Sequence, residues 1–338
     1  MLKPFIKQAI ELTSLDSGRS EEAMGIVMRG EATPAQIAAW LVALRQKGET
    51  AEEITGFVRS MRGAMVPLDG APVNTIDTCG TGGDGLSTFN ISTAAALIVA
   101  ACGIPVAKHG NRAVSSQCGS ADVLTALGFN IDPGVGTVQR ALQRTNFAFL
   151  FAPGFHPAMK HALGPRREIG VRTVFNILGP LCNPARVKKQ VVGVFDRRWL
   201  VPIAAALGAL GAERALVVSG PAGADELLPC GENHLAEWDG RRVREFTMIP
   251  SDFGMPIMPI NALHGDSAEG NAAIIRQIAD GADGPMMEAA LLNAGAALWV
   301  EGSAGSIKDG IGIARAAIKD GRAGRLIDAA AAASRGDL

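Results

Sequence analysis

Residues 77–122 read DTCGTGGDGLSTFNISTAAALIVAACGIPVAKHGNRAVSSQCGSAD, and this stretch constrains the fold more than any other. A short apolar strand ending at Asp77-Thr78 runs directly into Gly80-Thr81-Gly82-Gly83-Asp84-Gly85. Four glycines in six positions allow positive φ and a close approach of backbone to a ligand. Asn90-Ile91-Ser92-Thr93 then opens an Ala-rich apolar run, which reads as polar groups at the start of a buried helix. Strand, glycine loop and helix N-terminus together form an anion-binding arrangement, because the first N–H groups of a helix are unpaired and carry partial positive charge. After a second strand, Ile104 to Ala107, comes Lys108-His109-Gly110-Asn111-Arg112-Ala113-Val114-Ser115-Ser116. This loop brings cations, an amide and hydroxyls to the same sheet end. A glycine turn alone is usually only a turn, and a lone Lys108 or Arg112 is usually a solvated charge. Two such loops joined by one helix and one strand make a more specific pattern.

The length of 338 residues suggests two domains. Lys plus Arg number 32 against 33 Asp plus Glu, so no general attraction to nucleic acid or an anionic membrane is expected. The longest uncharged apolar run, Ala94 to Ala107, is shorter than the roughly 20 residues of a membrane span and contains Gly103 and Pro105. Gln8, Glu11 and Asp16 interrupt any signal-peptide apolar region. Five cysteines without C-x-x-C spacing argue for a reducing compartment and against structural zinc. The expectation is a cytoplasmic protein.

Residues 1 to about 66 carry helix signals only. Ser20-Glu21-Glu22, Thr33-Pro34-Ala35-Gln36 and Thr50-Ala51-Glu52-Glu53 are read as helix starts. Ile37, Trp40, Leu41 and Leu44 recur at helical spacing, and PLDGAPVN (67–74) reads as a linker. From Val73 strands near 75–78, 104–108, 147–151, 191–195 and 214–219 alternate with helices at 92–102, 120–127, 135–145 and 200–210. Such alternation predicts an α/β domain with a mainly parallel sheet covered by helices. Runs 234–238 and 243–247 around Asp239-Gly240 predict a hairpin, and the chain from Ala268 onward reads as helical.

Segment 153–184 breaks the alternation and holds Arg166 and Arg167, a basic pair beside the apolar, turn-forming Ile177-Leu178-Gly179-Pro180-Leu181. Asp225-Glu226, just past a strand end, is a carboxylate pair of the kind that holds Mg²⁺ together with substrate phosphates, although such pairs are mostly surface charge. Cys79 is a possible nucleophile without an activating partner, and no Ser-His-Asp order stands out. The chemistry suggested is transfer of a group bearing several phosphates, driven by positioning and electrostatics.

Gly80-Thr81-Gly82-Gly83-Asp84, Asn90-Ile91-Ser92-Thr93, Lys108 to Arg112 with Ser115-Ser116, and Gly119-Ser120-Ala121-Asp122 together resemble the anthranilate phosphoribosyltransferase family. The resemblance continues through Arg172 to Leu181, Asp225-Glu226, Asn271-Ala272 and Leu292-Asn293-Ala294, and so spans the chain. It implies a small helical domain, 1–70 joined by part of 165–185, a larger α/β domain, 71–338, and homodimers formed through the helical domains. It also implies that the substrates, phosphoribosyl diphosphate and anthranilate, meet between the domains.

By that resemblance Gly80, Gly83, Asp84, Thr88, Asn90, Ile91, Ser92 and Thr93 hold the diphosphate donor, completed by Lys108, His109, Gly110, Asn111, Arg112, Ala113, Val114, Ser115, Ser116 and Ser120. Ser92 touches one Mg²⁺ and Asp225 with Glu226 bind a second, giving two per subunit. Asn111 and Arg166 hold anthranilate, in a pocket lined by Gly80, His109, His156 and Gly179; Arg166 is identified by its place six residues before Arg172. No side chain is implied as a covalent catalyst. In place of the family's small apolar residue and hydroxyl, Leu227-Leu228-Pro229 follows the acidic pair. A pyrimidine nucleoside phosphorylase, a nucleic-acid-binding relative and a NAD-dependent dehydrogenase are the rival readings. The last lacks an acid about 20 residues beyond the glycine loop, where Ala101 to Val106 stand.

Overall fold

The computed structural model describes residues 2–113 and 118–337. Four helices open the chain: α1 (Lys3–Ile10), α2 (Ser17–Met28), α3 (Pro34–Lys47) and α4 (Ala51–Ala64). Thr33 with Gln36, and Thr50 with Glu53, form reciprocal capping boxes at the starts of α3 and α4, as their spacing predicts. The first start differs from expectation. Asp16, not Ser20, caps α2 by accepting from the Arg19 N–H at 2.8 Å, and Ser20 lies buried inside the helix. Trp40 meets Phe57 edge-on at 5.4 Å, and the buried Lys47–Glu53 pair closes at 2.7 Å.

The second part follows as β1 (Ile76–Gly80), α5 (Ile91–Ala101), β2 (Val106–Gly110), α6 (Ser120–Ala126), α7 (Val135–Thr145), β3 (Phe147–Phe151), α8 (Ala152–Phe155), α9 (Lys160–Ile169), α10 (Phe175–Leu178), β4 (Lys189–Gly193), α11 (Leu200–Ala209), β5 (Arg214–Ser219), β6 (Asn233–Trp238), β7 (Val243–Met248), α12 (Ala268–Ala279), α13 (Pro285–Glu301), α14 (Ile307–Lys319) and α15 (Arg322–Arg335). One seven-stranded sheet runs β3-β2-β1-β4-β5-β6-β7. Its first five strands are parallel, and the predicted hairpin adds β6 and β7 antiparallel. Pro105 delays β2 by two residues, because proline has no N–H for the ladder; its carbonyl instead accepts from Ile76. The fourth strand starts at Lys189, two residues before the expected 191.

Alternation along the strands sets which core each residue enters. In β5, Leu216 and Val218 join a core with α5, α6 and α12 to α15, whereas Ala215 and Val217 join one with α11 and the opening helices. Ala162, Val174, Phe175, Ile177 and Leu178 pack into that second core, so segment 160–182 lies against the helical bundle. The chain leaves the carboxyl ends of neighbouring parallel strands β1 and β2 at Thr81 and Asn111, where an open α/β sheet places its ligand crevice. Among the described residues no helix is long and apolar enough to cross a membrane.

Helices α2 and α4 touch backbone to backbone at Gly56, where an added Cβ would run into the Ser17 carbonyl oxygen and the Glu21 nitrogen. Backbone cannot swing aside as a side chain can. Gly56→Ala is therefore expected to lower unfolding stability by about 1–3 kcal/mol, despite alanine's better helix propensity, and denaturant titration would measure it. An unchanged or raised midpoint would show that the helices separate freely.

Candidate active site

Asp77 is fully buried in β1, and its carboxylate gathers donors from three directions. It accepts from the His109 N–H at 3.2 Å, from Asn183 Nδ2 at 2.8 Å and from Gln190 Nε2 at 3.4 Å. Cys79 Sγ donates to it at 3.3 Å, and burial raises the Cys79 thiol well above its ordinary range. Cys79 is thus a packed thiol, not an activated nucleophile.

Lys108 is 1 % exposed, the opposite of a solvated surface lysine. Its ammonium donates to the Thr78 carbonyl at 2.5 Å and to Ser92 Oγ at 3.3 Å. Burial lowers its pKa, while Asp77 and, more weakly, Glu226 and Asp225 pull it back up. A fixed cation therefore sits between the two loops, at the foot of α5.

The acidic pair reaches the same place from the β5 side. Glu226 Oε1 accepts from the Ser92 N–H at 2.8 Å, at the positive end of α5. Thr88 Oγ1 donates to Glu226 Oε2 at 3.4 Å, and Asp225 Oδ2 accepts from the Gly82 N–H at 2.6 Å. An added Cβ at Gly80 would collide with the Asp225 carboxylate, and one at Gly193 with its carbonyl oxygen, so glycine is required at both. Leu227 and Leu228 are fully buried and anchor the pair. Asn293 accepts from the Leu227 N–H at 3.1 Å and donates to its carbonyl at 2.7 Å, and Asn233 accepts from Leu228 at 2.8 Å. The departure at Leu227-Leu228-Pro229 is accordingly a core anchor.

A different chemistry lines segment 153–184. His109 Nδ1 lies 3.1 Å from the Gly179 carbonyl, which fixes the proton on that nitrogen and leaves Nε2 facing His156 Nε2 at 3.2 Å. Burial lowers His109 to a pKa of about 3, with His156 adding to the effect, and burial lowers His156 to about 4. Both rings are neutral at physiological pH. Arg166 is half-buried above the Phe175 ring, 5.2 Å from its centroid, and burial lowers its pKa, whereas Arg167 is exposed.

The remaining candidates occupy varied positions. Ile91 and Thr93 are buried, so they offer only backbone. Asn90 does not cap α5; its amide donates to Cys118 and accepts from Asn271 at 2.9 Å, tying the first loop to α12. Asp84 accepts from Leu86 at 3.1 Å and faces Asp225, and Gly83 offers its carbonyl to Arg172. Arg112 is exposed and paired with Asp122 at 2.9 Å, and Asp122 also accepts from Ala113. Asn111 and Gly110 border this turn, and Ser120 donates to the Asn111 carbonyl at 3.4 Å. Val114, Ser115 and Ser116 lie outside the described residues. Asn183 and Gln190 had no signal in spacing or composition, since each acts through one contact with Asp77 made far away in sequence.

Residues 3–65 match the glycosyl transferase family, helical bundle domain, and residues 72–324 match the glycosyl transferase family, a/b domain. The chain is 49 % identical over 329 residues to the anthranilate phosphoribosyltransferase of Moorella thermoacetica, covering 97 % of each chain. Among solved structures it resembles the enzyme of that name from Thermus thermophilus, with TM-score 0.93, 44 % identity and coverage of 98 % of this chain and 99 % of that one. The Saccharomyces cerevisiae enzyme, solved in complex with PRPP (phosphoribosyl diphosphate) and Mg, aligns with TM-score 0.90 and 26 % identity over 100 % of this chain and 98 % of that one. A second yeast structure, in complex with 4-fluoroanthranilate, aligns with TM-score 0.89 at the same 26 % identity and the same coverage.

Whether Asp225 and Glu226 fit a divalent cation can be judged from their own electrostatics. Burial raises Asp225 to about 7, with the nearby Asp84 adding to the shift, and burial with the Asp225 charge raises Glu226 well above its usual range. Crowded carboxylates of this kind are what a hard, oxygen-seeking cation relieves. Among the described residues no three His, Cys, Asp or Glu side chains cluster into a complete metal cage. The pair thus fits an ion that takes its other ligands from water and substrate oxygens. Because a raised carboxylate pKa means that protons compete with the ion, Mg²⁺ affinity is expected to rise as pH passes upward through about 7, with proton release on binding. Calorimetry in buffers of different ionisation enthalpy would measure this, and pH-independent Mg²⁺ binding would remove the pair from the metal site.

Proposed function

The chain belongs to the anthranilate phosphoribosyltransferase family of glycosyl transferases, and we propose that its cleft divides into a charged donor half and a neutral acceptor half. The enzyme transfers the phosphoribosyl group of phosphoribosyl diphosphate to the amine of anthranilate, releasing diphosphate. The observation that carries the division is buried Lys108, lying between both loops and drawn upon by Asp225 and Glu226.

Gly80, Gly83, Asp84, Thr88, Asn90 to Thr93, Lys108 to Ser116 and Ser120 form the donor half. Backbone N–H groups of the glycine loop and the Lys108 ammonium neutralise the diphosphate as its bond to ribose C1 breaks. The Ser92 hydroxyl would hold one Mg²⁺ and Asp225 with Glu226 a second, and bound there the ions would supply further charge stabilisation to the leaving group. Developing positive charge at C1 is then attacked from the opposite face by the anthranilate amine, with inversion.

Arg166 and Asn111 hold the acceptor, with Gly80, His109, His156 and Gly179 lining its pocket. An arylamine is already unprotonated at neutral pH, so the attack needs orientation more than a base. Neutral His109 and His156 place no competing cation beside the site of C1 charge. We assign residues 1–70 with part of 165–185 to the helical domain and 71–338 to the α/β domain. Homodimerisation through the helical domain is supported by the exposed apolar side chains Ile10, Leu12, Val42 and Leu163, all carried by the bundle or by α9 packed against it. A cytoplasmic location is supported by five free cysteines.

Purified protein given phosphoribosyl diphosphate, Mg²⁺ and anthranilate should consume anthranilate fluorescence and release one diphosphate per turnover. Phosphorolysis of pyrimidine nucleosides in its place would overturn the reading. Arg166→Ala should raise KM for anthranilate about 10- to 100-fold, as expected for losing a hydrogen bond to a charged group worth roughly 1.5–3 kcal/mol, and leave KM for the donor nearly unchanged. Equal effects on both KM values would refute the carboxylate role.

A further inference from the structure

At the opposite end of the sheet from the cleft, a cavity of about 160 Å³ opens between α4, the segment leading into β4, and the end of α11. Its position follows from register. Ile76, the first residue of β1, pairs with Lys189, so the chain just before Lys189 lies at the end of the sheet away from Gly80 and its loop. Its walls are Arg62, Arg186 and Lys188 together with Val187, Leu207, Leu210 and Ala212. Among the described residues three cations and no acid line it. None of the three forms an ion pair among those residues.

Two of the cations are held by backbone carbonyls, and all three have donors left over among the described residues. Arg62 Nε donates to the Leu181 carbonyl at 2.9 Å, and its two terminal nitrogens make no hydrogen bond among the described residues. Lys188 Nζ donates only to the Gly211 carbonyl among those residues, at 3.2 Å. Arg186 is kept at φ +50, an uncommon conformation for a non-glycine residue, while its N–H bonds the Asn183 carbonyl at 3.0 Å. Glu213 is tied to this place through its N–H, which donates to the Lys188 carbonyl at 2.8 Å, yet its carboxylate reaches none of the three cations. Burial of Arg62 and repulsion from Arg186 both disfavour its charge. An arginine stays charged nonetheless, so Arg62 carries a desolvated charge with no carboxylate paired to it among the described residues.

We infer that this cavity is a second anion site, built for a small, multiply charged tetrahedral oxyanion of the phosphate class. The volume equals that of roughly five liquid waters at about 30 Å³ each, enough for one such ion with bridging water. Arginine supplies planar paired donors for oxyanion oxygens and lysine a point charge. The ion would join the helical bundle, through Arg62, to the α/β domain, through Arg186 and Lys188. Arg62 also grips Leu181, two residues from Gly179, whose carbonyl holds His109, so the site lies one short segment from the acceptor pocket.

The test compares the whole protein with an Arg186→Gln/Lys188→Gln variant, whose exposed positions leave the core intact. Thermal unfolding would be followed against inorganic phosphate at constant ionic strength, with sodium chloride as the control salt. A ligand that binds only the folded state raises its midpoint by mass action. The wild type should show a saturating rise with phosphate, beyond that with chloride, and the variant should lose at least about half of it while keeping kcat and both KM values in phosphate-free buffer. Retention of the full rise by the variant would assign phosphate binding to the catalytic cleft alone, and an equal rise with chloride would reduce it to ionic screening; either result overturns the proposal. Arg62→Gln, read by phosphorus-31 line broadening at a temperature where the variant is folded, provides a second measurement, in which broadening equal to wild type counts against the site.

Discussion

The Asp77 carboxylate is where β1, β2 and the segment from Asn183 to Gln190 meet. A buried carboxylate costs folding free energy unless its oxygens are satisfied, and burial duly raises its pKa. Its donors come from β2, from the turn at Asn183 and from Gln190 in β4, so satisfying one charge fixes three chain segments. Lys108 and His109 leave β2 to opposite sides of the sheet, one toward Thr78 and Ser92 and the other toward Gly179. Gln190 also donates to the Pro180 carbonyl at 2.6 Å, which holds the Gly179–Cys182 turn against the strand. Removing the carboxylate would leave several buried donors unpaired at once, a cost larger than that of any single bond.

A second tie links the domains across the cleft mouth. Arg45 of α3 donates to the Arg172 carbonyl at 2.6 Å, and the Arg172 guanidinium stacks 4.2 Å from the Phe195 ring centroid while donating to the Gly83 carbonyl. Helical bundle, segment 153–184 and glycine loop are thereby connected in series. The loop's positive φ at Gly82, Gly83 and Gly85 lets its carbonyls and N–H groups point alternately to Arg172, to Asp225 and to the open cleft. A side chain at these positions would remove that freedom.

Local signals carried much of this architecture in the sequence. The capping boxes, the strand–helix alternation and the hairpin depend on neighbours within a few residues, and they recur in the structure within about two residues of where spacing puts them. The start of α2 was obscured because Asp16 and Ser20 both suit a cap, and only backbone geometry chooses between them. Burial was the least legible property. Lys108 reads as a surface charge until β1 and the start of α5 close around its ammonium, and Asn183, Gln190 and Asn233 act through contacts that no period encodes. Resemblance to a family supplied Arg166 over Arg167, and the structure separates the two by exposure.

Under the proposed division of the cleft, the electrostatic contrast between its halves would let positioning serve without a general base. Asp84, Asp225 and Glu226 crowd together at the donor side, a repulsive arrangement that becomes favourable when cations and a polyanion complete it. On the acceptor side both histidine rings are held neutral by burial, and the Arg166 cation rests on an aromatic face. A neutral amine entering such a pocket keeps its lone pair, since neither ring competes to donate a proton to it. In that proposed reading, charge is concentrated where a bond breaks and withheld where one forms. Asp77 sets the spacing between the two environments, because Lys108 and His109 are consecutive residues on the strand it holds.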